Sequence, residues 1–183
     1  MEKREVTFGT FEEAIQKTEV PDKISSFTVY QLGLAGEIGE LLTEFKKDKR
    51  GDVGDVGHKS AVCNELGDCL WYLAQLCNHC GSLHEVADYD SYVSLDVMMP
   101  IKKVESHAEL ANDLIITKLA NDLIIFNGSL AEGLRNESDV KQVLNKLLVC
   151  LASIASEFSV SLSEVAEINM SKTKMRFGKD YGQ

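Results

Sequence analysis

Through most of this chain apolar residues return at three- and four-residue steps, the period of a helix with one face turned to a core. In the stretch that opens near Ser26 or Thr28, the apolar set is Leu34, Ile38, Leu41, Leu42 and Phe45. From about Ser60 to Cys80 it is Val62, Leu66, Cys69, Leu70, Leu73 and Leu76. These sets predict two long amphipathic helices. The first closes on the basic run 46–50, whose charge suits the negative end of a helix. Gly51, Gly54 and Gly57 then predict a flexible loop between the two. Upstream, Thr10 followed three residues later by Glu13 has the spacing of a capping box and predicts a short helix that Pro21 ends. Ser82 and Glu85 repeat that spacing and predict a short fourth helix, followed by a connection from Asp88 to Pro100.

The second half reads as helical too. LANDLII at 110–116 returns unchanged at 119–125, which suggests a local duplication inside a buried helix. A larger echo spans the chain. SLHEVA at 82–87 matches SLSEVA at 161–166, and at the same offset Leu70, Leu73 and Leu76 fall on Val149, Ala152 and Ala155. The pattern predicts an all-α, four-helix-bundle-like fold with a degenerate internal repeat. Residues 1–183 are expected to form one domain, with an acidic half at 1–90 and a degenerate helical half at 100–183.

Composition narrows the function classes. With 44% hydrophobic and 26% charged residues, 13 glycines and 2 prolines in 183 residues, collagenous and largely disordered chains are excluded. The 29 acidic residues exceed the 19 basic ones, for a formal charge of −10, which argues against a nucleic-acid polymer or an anionic membrane surface as partner. No apolar run reaches the length of about 20 residues that a bilayer span needs, and the N-terminus lacks a signal-peptide core, so a soluble cytoplasmic protein is expected. Five cysteines (Cys63, Cys69, Cys77, Cys80, Cys150) fall mostly on apolar helical positions and read as reduced core thiols.

The chemistry lies in the acids. Glu37-x-x-Glu40 on one helix and Glu65-x-x-Asp68 on the next each place two carboxylates on one face, a turn apart. Pairing the two helices antiparallel brings all four together. So many carboxylates at close range either take up protons or gather around a divalent cation, and an all-oxygen set suits Mg²⁺, with Mn²⁺ as its substitute, over zinc. Glycines at 36, 39 and 67 flank the acids and leave room for a neighbouring helix or a ligand. Taken singly, an ExxE is usually a solvated face. Glu65 and Asp68, however, sit between apolar positions, where an unpartnered charge is costly.

With these residues the chain resembles the MazG-type, all-α nucleoside triphosphate pyrophosphohydrolases. The resemblance rests on GEIGELL at 36–42 and NELGDCLWYL at 64–73, covers roughly 26 to 87, and resumes at 167–176. It implies hydrolysis of a (deoxy)nucleoside triphosphate between the α and β phosphates, giving the monophosphate and pyrophosphate. Glu37, Glu40, Glu65 and Asp68 would hold the metal, Glu37 or Glu40 would take the proton of the attacking water, and Asn169, Lys172 and Arg176 would contact phosphate. It further implies a homodimer or tetramer and a house-cleaning role in nucleotide metabolism. Residues 88 to 140 exceed a minimal unit of that type, and a bundle extended by an inactive repeat also resembles the related all-α dUTPases. In the repeat, Leu144 and Leu147 take the places of Glu65 and Asp68, so that copy lacks the metal-binding acids.

Competing readings are weaker. Cys77-Asn-His-Cys80 with His84 has half the ligands of a zinc site and no second CxxC. A di-iron bundle expects Glu-x-x-His pairs, and no histidine has Glu three residues before it. His58 and His107 are expected at the surface. Trp71, Tyr72 and Phe45 read as core, with Trp71 placed to border a base pocket. A non-catalytic helical interaction module is the alternative in which the acids are surface charge.

Overall fold

The computed structural model describes residues 6–17, 23–52, 54–89, 93, 108–132 and 137–177, leaving aside the side chains of 23–26, 55, 108–114, 131–132, 137–138 and 176–177. These residues form seven helices in the order α1 (Phe8–Gln16), α2 (Lys23–Lys49), α3 (Asp55–Cys77), α4 (Leu83–Ala87), α5 (Ala108–Glu132), α6 (Glu137–Glu157) and α7 (Leu162–Phe177), with no strand among them. The fold is all-α, as the periodicity predicts.

Helix α3 is the axis of the molecule. Leu66, Cys69, Leu70, Leu73, Ala74, Leu76 and Cys77 are fully buried along it, and α1, α2, α4, α6 and α7 all pack against it. Helix α2 forms a hairpin with α3 through Leu34, Ile38, Leu41 and Phe45, while α5 lies across α2 and α6. The order long helix, long helix, Ser-started helix thus occurs twice, and the halves interlock: α7 packs chiefly on α3, and α4 on α6. Leu144 and Leu147, at the repeat positions of the α3 acids, are buried core residues. No single helix among the described residues is long and apolar enough to cross a membrane.

Several boundaries differ from the sequence expectation. Helix α1 begins at Phe8 because Thr7, not Thr10, is its N-cap; the Thr7 hydroxyl accepts from Thr10 N, and the Thr10 hydroxyl accepts from Thr7 N. Helix α3 begins at Asp55, so Gly54 is its N-cap and Gly57 lies in its first turn; upstream of it, Gly51 takes a left-handed φ of 70°. The early start carries His58 into the helix, where it is 7% exposed against Phe45 and Phe158 and not at the surface. His107 and most of the 88–100 connection lie outside the described residues. The duplicated segment forms one continuous helix, α5, and nine residues at about 100° each turn its copies to opposite faces. In the second copy Leu123 is buried while Ile124 and Ile125 are 52% and 60% exposed, so α5 is not a buried helix.

All five cysteines are buried and none forms a disulfide. Cys80 Sγ donates to Cys77 O at 3.4 Å, and His84 faces Asp88 at 3.8 Å on the surface.

Candidate metal centre

Three side chains from two helices meet on one side of the α2–α3 hairpin. Glu37 comes from α2, Glu65 and Asp68 from α3, and one carboxylate oxygen of each lies within 4.8 Å of the others. Among the described residues this is the one grouping of three or more potential metal-ligating side chains. The three-residue step keeps Glu65 and Asp68 on one face of α3, while Leu66, Cys69 and Leu70 hold that helix in the core. The acidic stripe of α2 is divided by its surroundings. Glu37 is half-buried in the trio, Glu40 is exposed and outside it, and Glu44 is buried and paired with Lys47 at 2.5 Å.

Crowding sets the electrostatics. Burial, reinforced by the charges of Asp68, Glu40 and Glu65, pushes the Glu37 carboxyl up to about 7, while Lys172 opposes the rise. Burial also raises Glu65, with Asp68 and Glu40 adding to it and Lys172 again opposing. Glu40 therefore acts on the trio through its charge although it does not join it.

Helix α7 supplies the opposite wall. Asn169 Nδ2 donates to Asp68 Oδ1 at 2.8 Å, and Lys172 Nζ donates to Asp68 Oδ2. An ionised carboxylate only accepts, so the Asp68 contact fixes the Asn169 amide with its nitrogen toward the acid. Asn169 Oδ1 is left buried without a partner. Thr173 Oγ1 donates to Asn169 O at 2.8 Å. Gly67 permits this approach: a Cβ there would stand 3.0 Å from Asn169 Cβ and 3.3 Å from Val165 O. Gly36 and Gly39, flagged for the same reason, face open space.

Glu37, Asp68, Trp71, Tyr72, Asn169, Lys172 and Thr173 line an open cleft of about 150 Å³. Trp71 and Tyr72 are half-buried and pack edge to face, with ring centroids 4.9 Å apart. Trp71 thus borders the cleft as its spacing from Asp68 suggests. Thr173 is a cleft residue the sequence did not single out, and Tyr72, read there as core, is half-buried and lines the cleft instead. For Tyr72 the signal was Gly33, a glycine inside α2 whose missing side chain leaves the space the Tyr72 ring fills. Arg176 lies in α7, beyond the described side chains.

Of the seven site residues expected from sequence, the fold brings Glu37, Glu65, Asp68, Asn169 and Lys172 together and places Glu40 beside them. The donor set fits a hard divalent cation. It is all oxygen, and burial together with the neighbouring carboxylates makes ionised Glu37 and Glu65 costly, a cost that a cation relieves.

Residues 25–90 match the MazG nucleotide pyrophosphohydrolase domain. The gene 37 protein of Mycobacterium phage L5 is 37% identical over 59 residues, covering 31% of this chain and 52% of that protein. The chain therefore spans about half the length of the curated relative it matches. No solved structure matches. The matched stretch runs from the first turn of α2 to just past α4 and contains all four acids, while α7 lies outside it, and over that stretch the chain is similar to the MazG family.

Proposed function

We propose that this protein is a Mg²⁺-dependent nucleoside triphosphate pyrophosphohydrolase that converts a (d)NTP to the monophosphate and pyrophosphate. The observation that carries the reading is the meeting of Glu37, Glu65 and Asp68 at the edge of a cleft that Glu37 and Asp68 line and whose facing wall presents Lys172. When bound, the divalent cation neutralises phosphate charge and supplies a Lewis acid. Glu37, Glu65 and Asp68 hold it, with Glu40 completing the set from the rim. Either Glu37 or Glu40 takes the proton of the attacking water. Lys172, Asn169 and Arg176 orient the triphosphate, and Trp71 and Tyr72 flank the nucleoside. We further place the enzyme in the cytoplasm as a homo-oligomer with a house-cleaning role.

A narrower dUTPase-like activity is the second reading, favoured by the second set of helices, α5 to α7, whose Leu144 and Leu147 leave one working site per chain. Incubation with Mg²⁺, or Mn²⁺, and a panel of (d)NTPs that includes dUTP and oxidised nucleotides tests both, with products resolved. Monophosphate with pyrophosphate is the expected pair. Strong preference for dUTP would select the second reading, and no turnover with any substrate under either metal would leave a non-catalytic helical module.

A further inference from the structure

Lys172 sits on a carboxylate, Asp68, that the metal reading assigns to a cation. Its ammonium donates to Asp68 Oδ2, and its charge opposes the rise in proton affinity of both Glu37 and Glu65. In this position the lysine partly does for the acidic trio what a divalent ion does fully: it offsets their mutual repulsion. It is not locked there. Its side chain is 40% exposed, and it lines both the cleft with Glu37 and Asp68 and a neighbouring hollow bounded by Asn64, Glu167, Ile168, Ser171 and Met175. The flexible four-carbon stem of a lysine therefore has space on either side of its present contact.

An ammonium and a divalent cation cannot share Asp68 Oδ2 without strong repulsion at ligand distance. A triphosphate, by contrast, brings new negative charge into the same cleft. We propose that Lys172 is a tethered counter-cation that changes partners: it holds the acidic site in the metal-free protein, yields Asp68 to the divalent ion, and then pairs with the phosphates of the bound nucleotide. The proposal rests on the metal-dependent reading above. It assigns Lys172 opposite effects on two ligands, resisting the metal and attracting the nucleotide. A static ion pair that only braces α7 against α3 has no such reversal.

Calorimetric titration of Mn²⁺ into the metal-stripped full chain, without nucleotide, reads the first effect. Lys172→Met is expected to bind Mn²⁺ about three- to tenfold more tightly than the wild type, the scale of a half-buried ion pair. A non-hydrolysable α,β-imido nucleoside triphosphate titrated at saturating Mn²⁺ reads the second, and there the variant is expected to bind at least about tenfold more weakly. Lys174→Met, on the same helix, serves as the charge control and is expected to change Mn²⁺ affinity by less than about twofold. Unchanged or weaker Mn²⁺ binding by Lys172→Met, or unchanged nucleotide binding, overturns the exchange while leaving the metal centre standing. Equal tightening by Lys174→Met also overturns it, because overall charge then explains the result. If the wild type binds no Mn²⁺ at all, the metal-centre reading itself falls and the exchange with it.

Discussion

What stands across from a glycine in α2 decides whether it is replaceable. A Cβ on Gly33 would stand 2.1 Å from Tyr72 Cε1, whereas Gly36 and Gly39 have nothing within 4 Å. Alanine removes backbone freedom from the unfolded chain and suits a helix interior, so Gly36→Ala and Gly39→Ala should each stabilise the protein by about 0.5–1 kcal/mol in urea denaturation. Gly33→Ala should show no such gain, because the Tyr72 ring must swing away, and fluorescence of the adjoining Trp71 should report the move. An equal gain at all three positions would show that the ring is not held over α2. The acids themselves were legible, because three-residue spacing on two helices is a statement about faces that any helical fold must respect. Glu65→Gln and Asp68→Asn should keep the far-ultraviolet spectrum and lower turnover by about a hundredfold or more. The division of the α2 stripe was not legible, since burial of Glu44 and exposure of Glu40 depend on what packs across from each.

Among the elements, the long helices were readable because their apolar period was sustained, while their ends depended on partners remote in sequence. The buried Asn145 of α6 donates to Val86 O at 2.7 Å, capping the last carbonyls of the five-residue helix α4. The buried Gln75 of α3 donates in the same manner to Ile15 O at the end of α1, at 3.4 Å. No local motif announces either contact. Asn145→Leu keeps the branched shape and abandons a buried carbonyl, so it should destabilise by about 1–3 kcal/mol, seen as a lower urea midpoint with an unchanged slope. Where the partner is local the sequence sufficed: Ser82 Oγ accepts from Glu85 N at 3.1 Å, and Ser161 and Glu164 form a reciprocal box, with bonds of 3.2 and 2.8 Å. Even there the match was partial, for the Glu85 carboxylate turns to Lys141 at 3.1 Å, tying α4 to α6. The two-faced α5 shows the opposite case. Its duplicated heptapeptide looked like buried core because the residues are apolar, but the nine-residue period forbids both copies from facing one side.

For the molecule as a whole, a formal charge of −10 and a half-buried acidic trio make stability depend on pH and on divalent cations together. Glu37, at about 7, and Glu65, also raised, hold protons in the folded state that the unfolded chain releases near the ordinary carboxylate value of 4.5. A raised carboxyl contributes stability that is fully present below the unfolded pKa and is lost as pH rises through the folded one. The metal-free protein should therefore melt at progressively lower temperature between about pH 4.5 and 7, and flatten above. A divalent cation reverses the trend, since it binds the folded, deprotonated site and stabilises by mass action, by about 2.7 kcal/mol at a hundredfold excess over its Kd. Melting curves in chelator and in Mg²⁺ at matched ionic strength should coincide near pH 5 and separate above it. General repulsion among surface acids also weakens the fold as pH rises, so the site must be isolated by mutation. Glu37→Gln removes a carboxyl raised to about 7 that is also a member of the trio, and it should both flatten the chelator curve and close the gap to the Mg²⁺ curve. If the variant kept the wild-type slope and gap, the pH dependence would belong to the surface, and the crowded trio would not be where the cation acts.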